Sequence, residues 1–174
     1  MVMATLDIVE YPDPKLRVKC APVSEITAEI RALLANMAET MYTAPGIGLA
    51  APQVGESYRL IVIDVGSDEA SGRRARLYKL INPEIVAREG ATETEEGCLS
   101  VPEIREVVKR AAKVQVRALN ENGQEEDIEA EGLLAVCLQH EIDHLDGVLF
   151  IDHLSRLKQM LVKSKYNKLH RAEE

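Results

Sequence analysis

The chain has no tryptophan, one phenylalanine and only 3% aromatic residues. A core must therefore come mainly from Ile, Leu, Val, Met and Ala. Cysteine is scarce as well: Cys20, Cys98 and Cys137 are the only three in 174 residues. So small and odd a number argues against a disulfide framework and leaves any special cysteine as a ligand or a nucleophile. No apolar run approaches the length that spans a bilayer. The N-terminal stretch, with Asp7 and Glu10, lacks the apolar segment of a signal peptide. These absences point to the cytoplasm and away from membranes. Positive charge is in deficit, 21 basic against 29 acidic residues for a net −8, which argues against a general nucleic-acid binder and against DNA as a partner. Neither a repeat nor a linker is visible, so residues 1–174 are expected to form one domain with one substantial core. At 46% hydrophobic and 29% charged, the composition is that of a globular chain.

Pro12, Pro14 and Pro22 make residues 1–25 an extended arm with turns. Thr27 is placed to cap a helix whose apolar positions are Ile30, Leu33, Leu34, Met37 and Met41, and Pro45-Gly46 end it. Arg59 to Val65 reads as a buried strand, 66–76 as a loop, and Leu77 to Val86 as an extended segment interrupted at Pro83. Val114, Val116 and Ala118 alternate within Lys113–Leu119, and Asn122-Gly123 signals a hairpin turn into a strand over 124–130. Gly132 precedes the apolar run Leu133 to Leu138, which continues into His140 until Gly147 stops the helix. Ser155 is placed to cap a last helix. This order of elements predicts an α+β fold. We expect antiparallel sheets packed around a central buried helix, flanked by an N-terminal and a C-terminal helix.

Residues 140–144 read His-Glu-Ile-Asp-His. Two histidines four apart on a helix project from the same side, one turn apart, so both imidazoles can reach one divalent cation. Glu141 beside them can take the proton of an activated water. The competing reading is a charged, solvent-facing helix surface, but uncompensated His and Glu in so apolar a helix would be costly. Two histidines leave a third ligand to find. Cys98, in Glu95-Glu96-Gly97-Cys98-Leu99-Ser100, offers a thiolate in a context unusual for a core strand. Cys20 has no supporting motif. Cys137 is three residues before His140 on the same helix, awkward for a third ligand though able to line a pocket. His153 and His170 read as surface or packing residues. Gly46-Ile47-Gly48 follows a helix rather than a strand, which speaks against a phosphate loop.

Three segments together carry a family resemblance: Gly46-Ile47-Gly48-Leu49-Ala50-Ala51-Pro52-Gln53, Glu96-Gly97-Cys98-Leu99-Ser100 and Gln139-His140-Glu141-Ile142-Asp143-His144. In that order the chain resembles the bacterial peptide deformylases along nearly its whole length. The resemblance implies that Cys98, His140 and His144 bind one divalent metal with water as the fourth ligand. It also implies that Glu141 is general base and then general acid, and that Gln53 and the backbone N–H of Leu99 stabilise the oxyanion. Ile47, Leu133, Val136 and Cys137 would line the slot for the methionine side chain, and Gly48 would also bind substrate. The substrate would be a nascent formyl-methionyl polypeptide and the products formate and a free amino terminus. The implied cellular metal is Fe(II), although the ligand set equally suits zinc, nickel or cobalt. A zinc peptidase would share His-Glu-x-x-His but take its third ligand downstream. A structural metal site would need a fourth protein ligand and would leave Glu141 without a purpose.

Residues 155–174 carry six basic residues (Arg156, Lys158, Lys163, Lys165, Lys168, Arg171) and two acids (Glu173, Glu174), a local +4 on a body of −12. Such a helix could dock on ribosomal RNA near emerging chains. A monomer is expected, because the sequence reveals no exposed apolar patch.

Overall fold

The computed structural model describes residues 4–171. Helix α1 (Ala28–Thr43) starts where Thr27 accepts a hydrogen bond from the Ile30 N–H, as its position predicted. Its stripe of Ile30, Leu34, Met37 and Met41 is buried. Strands β1 (Gly48–Ala50), β2 (Leu60–Ile63), β3 (Tyr78–Glu89), β6 (Lys113–Leu119) and β7 (Glu125–Glu131) form an antiparallel sheet in that order. Strands β4 (Thr92–Cys98) and β5 (Val101–Arg110) form a separate antiparallel hairpin.

Every residue of β2 is buried because both faces of the sheet are covered. Leu60 and Val62 pack with α1, while Ile61 and Ile63 pack with helix α2 (Gly132–Leu145). A third cluster joins Val101, Ile104 and Val108 of β5 to Phe150, Ile151 and two residues of helix α3 (Arg156–Arg171), Val162 and Tyr166. The α+β expectation with three helices is met, and α2 lies buried between the sheet and the hairpin layer.

Some local expectations need correction. Pro83 does not interrupt a strand: β3 runs through it. The ladder skips between Ile81 and Glu84, and Asn82 adopts φ 52°, so the proline falls at a bulge where its missing N–H is not required. The pattern also gave no sign of the β4–β5 hairpin. The expected absence of an exposed apolar patch fails on α3, where Leu157, Met160 and Leu161 are 66%, 69% and 60% exposed. Glu173 and Glu174 lie outside the described residues. Gly147 does end α2; at φ 75° it sits so close to Arg17 that an added Cβ would come within 2.6 Å of the Arg17 carbonyl oxygen.

Candidate active site

The central helix turns His140 and His144 toward the hairpin layer, and β4 ends there on Cys98. The ligand atoms of these three residues lie within 4.8 Å of one another. Cys98 Sγ is 3.4 Å from Nε2 of His144. Nδ1 of His140 donates to Glu96 Oε1 at 2.8 Å, which leaves Nε2 as the free lone pair of that ring. The ring is held flat against Phe150, with centroids 5.9 Å apart and planes 21° apart. Cys20 and Cys137 are not part of this cluster, which removes them as competing ligands.

The electrostatics favour a cation at this point. Burial disfavours charge on His140, yet hydrogen bonds to Cys98 and Glu96 hold its pKa well above the usual value. Burial drives His144 the other way, well below it, with the nearby His140 charge adding to the effect. One site thus calls for positive charge while its second imidazole stays neutral and able to ligate. A divalent ion meets both demands better than a proton, because thiolate and neutral imidazole are its ligand forms. Glu141 is buried, with Oε1 3.7 Å from Nε2 of His140. Its Oε2 has no hydrogen-bond partner among the described residues. Burial, above all, pushes its carboxyl up to about 7; His140 and Arg110 oppose that rise, and Glu96 and Asp143 add to it. A thiol and two imidazoles beside a carboxyl with one oxygen unpartnered, poised near neutrality, fit a catalytic metal with an activated water.

A pocket of about 600 Å³ opens over this cluster. All the residues expected at the substrate line it: Ile47, Gly48, Leu133, Val136 and Cys137, with Gln53, Leu99, Cys98, His140 and Glu141. Gln53 is fixed in orientation. Its Oε1 accepts from the Ala50 N–H at 2.9 Å, and its Nε2 points to Ser100 Oγ at 3.1 Å and Cys98 Sγ at 3.4 Å. Leu99 occupies the two-residue turn between Cys98 and Val101, so its N–H is outside the hairpin ladder.

Sequence reasoning missed the residues behind the ligands. Glu96 accepts from Arg110 as well as from His140, and Arg110 reaches on to Asp143. His153, read as a surface or packing residue, contacts Asp143 Oδ2 at 2.8 Å. The one available signal was the position of Glu96, two before Cys98 and therefore on the same strand face. His170 stacks on Tyr166, in keeping with a packing role.

Comparison with known proteins agrees with this geometry. The family model described as polypeptide deformylase matches residues 5–160. A peptide deformylase of Alkalilimnicola ehrlichii is 53% identical over 169 residues, covering 97% of this chain and 93% of the relative. One of Nitrosococcus oceani is 51% identical, covering 97% and 98%. The crystal structure of a peptide deformylase from Legionella pneumophila superposes with a TM-score of 0.88 at 46% identity, covering 98% of each chain. That of Ehrlichia chaffeensis in complex with actinonin gives 0.90 at 40% identity, covering 97% of this chain and 99% of that one.

Proposed function

The chain belongs to the polypeptide deformylase family, metal-dependent hydrolases that remove the N-terminal formyl group from nascent polypeptides, and on that premise we propose how its own residues carry out the reaction. Cys98, His140 and His144 hold the metal, residues 1–174 act as one deformylase unit, and the pocket beside Ile47, Gly48, Leu133, Val136 and Cys137 receives the methionine side chain. The observation that carries this reading is the convergence of the three candidate ligand atoms within 4.8 Å beside the buried Glu141, whose Oε2 has no hydrogen-bond partner among the described residues.

When bound, the cation supplies Lewis-acid polarisation and a water of lowered pKa. Glu141 accepts a proton from the attacking water as its oxygen bonds to the formyl carbon. Negative charge moves to the former carbonyl oxygen, where Nε2 of Gln53 and the N–H of Leu99 donate to it. Fixed donors of this kind contribute ~3 kcal/mol each. Glu141 then returns the proton to the departing nitrogen, the carbon–nitrogen bond breaks, and formate and a free amino terminus leave. A formyl carbon bears only hydrogen, so a narrow pocket admits it and excludes bulkier acyl groups. The apolar slot discriminates side chains by only ~1–3 kcal/mol per methylene, which allows other unbranched residues in place of methionine. Formate release from formyl-Met-Ala-Ser by the metal-loaded protein tests the reading. Equal formate from the Glu141→Ala variant would sink it.

For the metal, Fe(II) is the family expectation, and zinc, nickel and cobalt suit the same ligands. Metal analysis and activity of protein purified without oxygen, compared with an aerated sample, separate these choices. We take the acting form to be a cytoplasmic monomer; no helix among the described residues is long and apolar enough to cross a membrane. Helix α3 is the candidate for ribosome docking. Val162 and Tyr166 tie it to the body. On the outward stripe, exposed Leu157, Met160 and Leu161 run at helical spacing toward Lys168 and Arg171. Salt-sensitive ribosome binding that survives deletion of residues 156–174 would remove this part of the reading.

A further inference from the structure

The three ligand side chains come from two different layers. Cys98 ends β4 of the hairpin, whereas His140 and His144 stand on α2, which packs on the five-stranded sheet. Metal–ligand distances tolerate only ~0.2 Å, so the separation of these layers needs a brace. One guanidinium spans it. Arg110, the last residue of β5, donates from Nε and Nη2 to the two oxygens of Glu96 on β4 at 2.6 and 2.9 Å. Its Nη1 donates to Asp143 Oδ2 on α2 at 2.9 Å. The same Asp143 oxygen is met by Nε2 of His153 at 2.8 Å. The Arg110 and Glu96 side chains are 4% and 5% exposed, while Asp143 and His153 at the outer end reach 24% and 37%.

A carboxylate this deeply buried stays charged only while paired, a buried guanidinium left unpaired would be costly, and a fork-to-fork pair has a single planar geometry. Glu96 therefore cannot turn. It keeps the His140 proton on Nδ1 and aims Nε2 at the point where Cys98 and His144 meet.

We propose that Arg110 is a positioning residue for the reaction: through Glu96 it fixes the ring of His140, and through Asp143 it fixes the spacing between β4 and α2. His153 steadies the outer end. The inference rests on the ligand assignment proposed above. A brace with a purely structural role would lower stability without changing the surroundings of the metal.

Cobalt(II) is a probe of those surroundings. The parent protein, Arg110→Lys and Asp143→Asn are loaded with cobalt. Their visible spectra, the rate of cobalt release to a chelator, and formate release from formyl-Met-Ala-Ser are compared. A parent without bound cobalt, or without thiolate-to-cobalt absorption, would remove the ligand assignment itself and this inference with it. With the parent loaded, Arg110→Lys keeps the charge but offers a point donor in place of the fork, so it cannot serve Glu96 and Asp143 together. Its cobalt bands should shift, release should quicken on the order of 10–100-fold, and kcat should fall by a comparable factor. KM should stay within about twofold of the parent, since the substrate pocket is untouched. Asp143→Asn keeps an acceptor oxygen without its charge and should show the same changes at smaller size; it decides the matter if Arg110→Lys does not fold. Folded variants with the parental spectrum and parental release would overturn the proposal. A raised KM at unchanged kcat would also overturn it, because the effect would then lie at the substrate.

Discussion

Replacing Glu141 with glutamine should make the metal-free protein more stable and the loaded protein nearly inactive. The Glu141 side chain is buried, and burial, above all, lifts its carboxyl from 4.5 to about 7. A carboxyl raised in the folded state opposes folding as pH rises. The unfolded chain releases this proton near 4.5 while the folded protein holds it up to about 7, so stability is lost as pH rises between the two values. At ~1.36 kcal/mol per pKa unit, the difference removes about 3 kcal/mol of stability above pH 7 and nothing below the unfolded value. Glutamine has the same shape and carries no charge at any pH. The metal-stripped Glu141→Gln protein should therefore exceed the parent by about 3 kcal/mol at pH 8, and by less than about 1 kcal/mol at pH 5. Urea unfolding at the two pH values measures both differences. In the loaded protein the three proposed ligands remain, so metal content should hold while formate release falls on the order of 10²–10⁴-fold. A stability difference that is the same at pH 5 and pH 8 would refute the burial argument. Formate release within about tenfold of the parent would refute the proton-transfer role.

A Cβ at Gly48 would stand 2.9 Å from both Cys137 Sγ and Glu141 Oε1. Gly48→Ala should consequently lower kcat/KM for formylated peptides by at least about tenfold at unchanged metal content, and parental kinetics would show the close approach to be unimportant. Burial raises the thiols of Cys20 and Cys137, Cys137 well above its usual value. Alkylation of the native metal-free protein at neutral pH, followed by peptide mass spectrometry, should thus label Cys98 and spare the other two until urea is added. Leu34 of α1 is fully buried, so Leu34→Ala should lose ~2–5 kcal/mol in denaturant unfolding with kcat unchanged; a loss under ~1 kcal/mol would contradict the packing described for that helix.

The parts of the fold legible in the sequence are those where one chemical pattern repeats within one element. The stripe of α1 and its Thr27 cap, the apolar run of β2 and the run leading into His140 are of this kind. The β4 strand was invisible because its sequence, Thr-Glu-Thr-Glu-Glu-Gly-Cys, has no apolar alternation. Pairing with β5 makes it a strand, and β5 brings the apolar Val101, Ile104 and Val108. Pro83 misled because a proline breaks a regular ladder, whereas here the ladder is already broken by the bulge. The exposed stripe of α3 hid behind its lysines: Leu157, Met160 and Leu161 look like core positions until Val162 and Tyr166 prove to be the docked face.

The site itself divides the same way. The helix motif was readable from spacing alone, but Cys98 as third ligand rested on context and resemblance, and Glu96 and Arg110 were missed. The reason lies in two periodicities that meet only in three dimensions. Residues two apart on a strand share a face and rise ~6.6 Å, while residues four apart on a helix share a face and rise ~6 Å. Laid against each other, Glu96 meets His140 and Cys98 meets His144, two rungs of nearly equal height. The spacing that would let two histidines share a metal thus also lets one strand supply both the proposed third ligand and the carboxylate that orients the first histidine. Moving Cys98 one residue along β4 would turn its sulfur to the opposite face, so the Glu-x-Cys spacing is as much a part of the proposed metal site as His-Glu-x-x-His. Neither segment discloses that dependence alone, because the contacts join residues 44 and 46 positions apart.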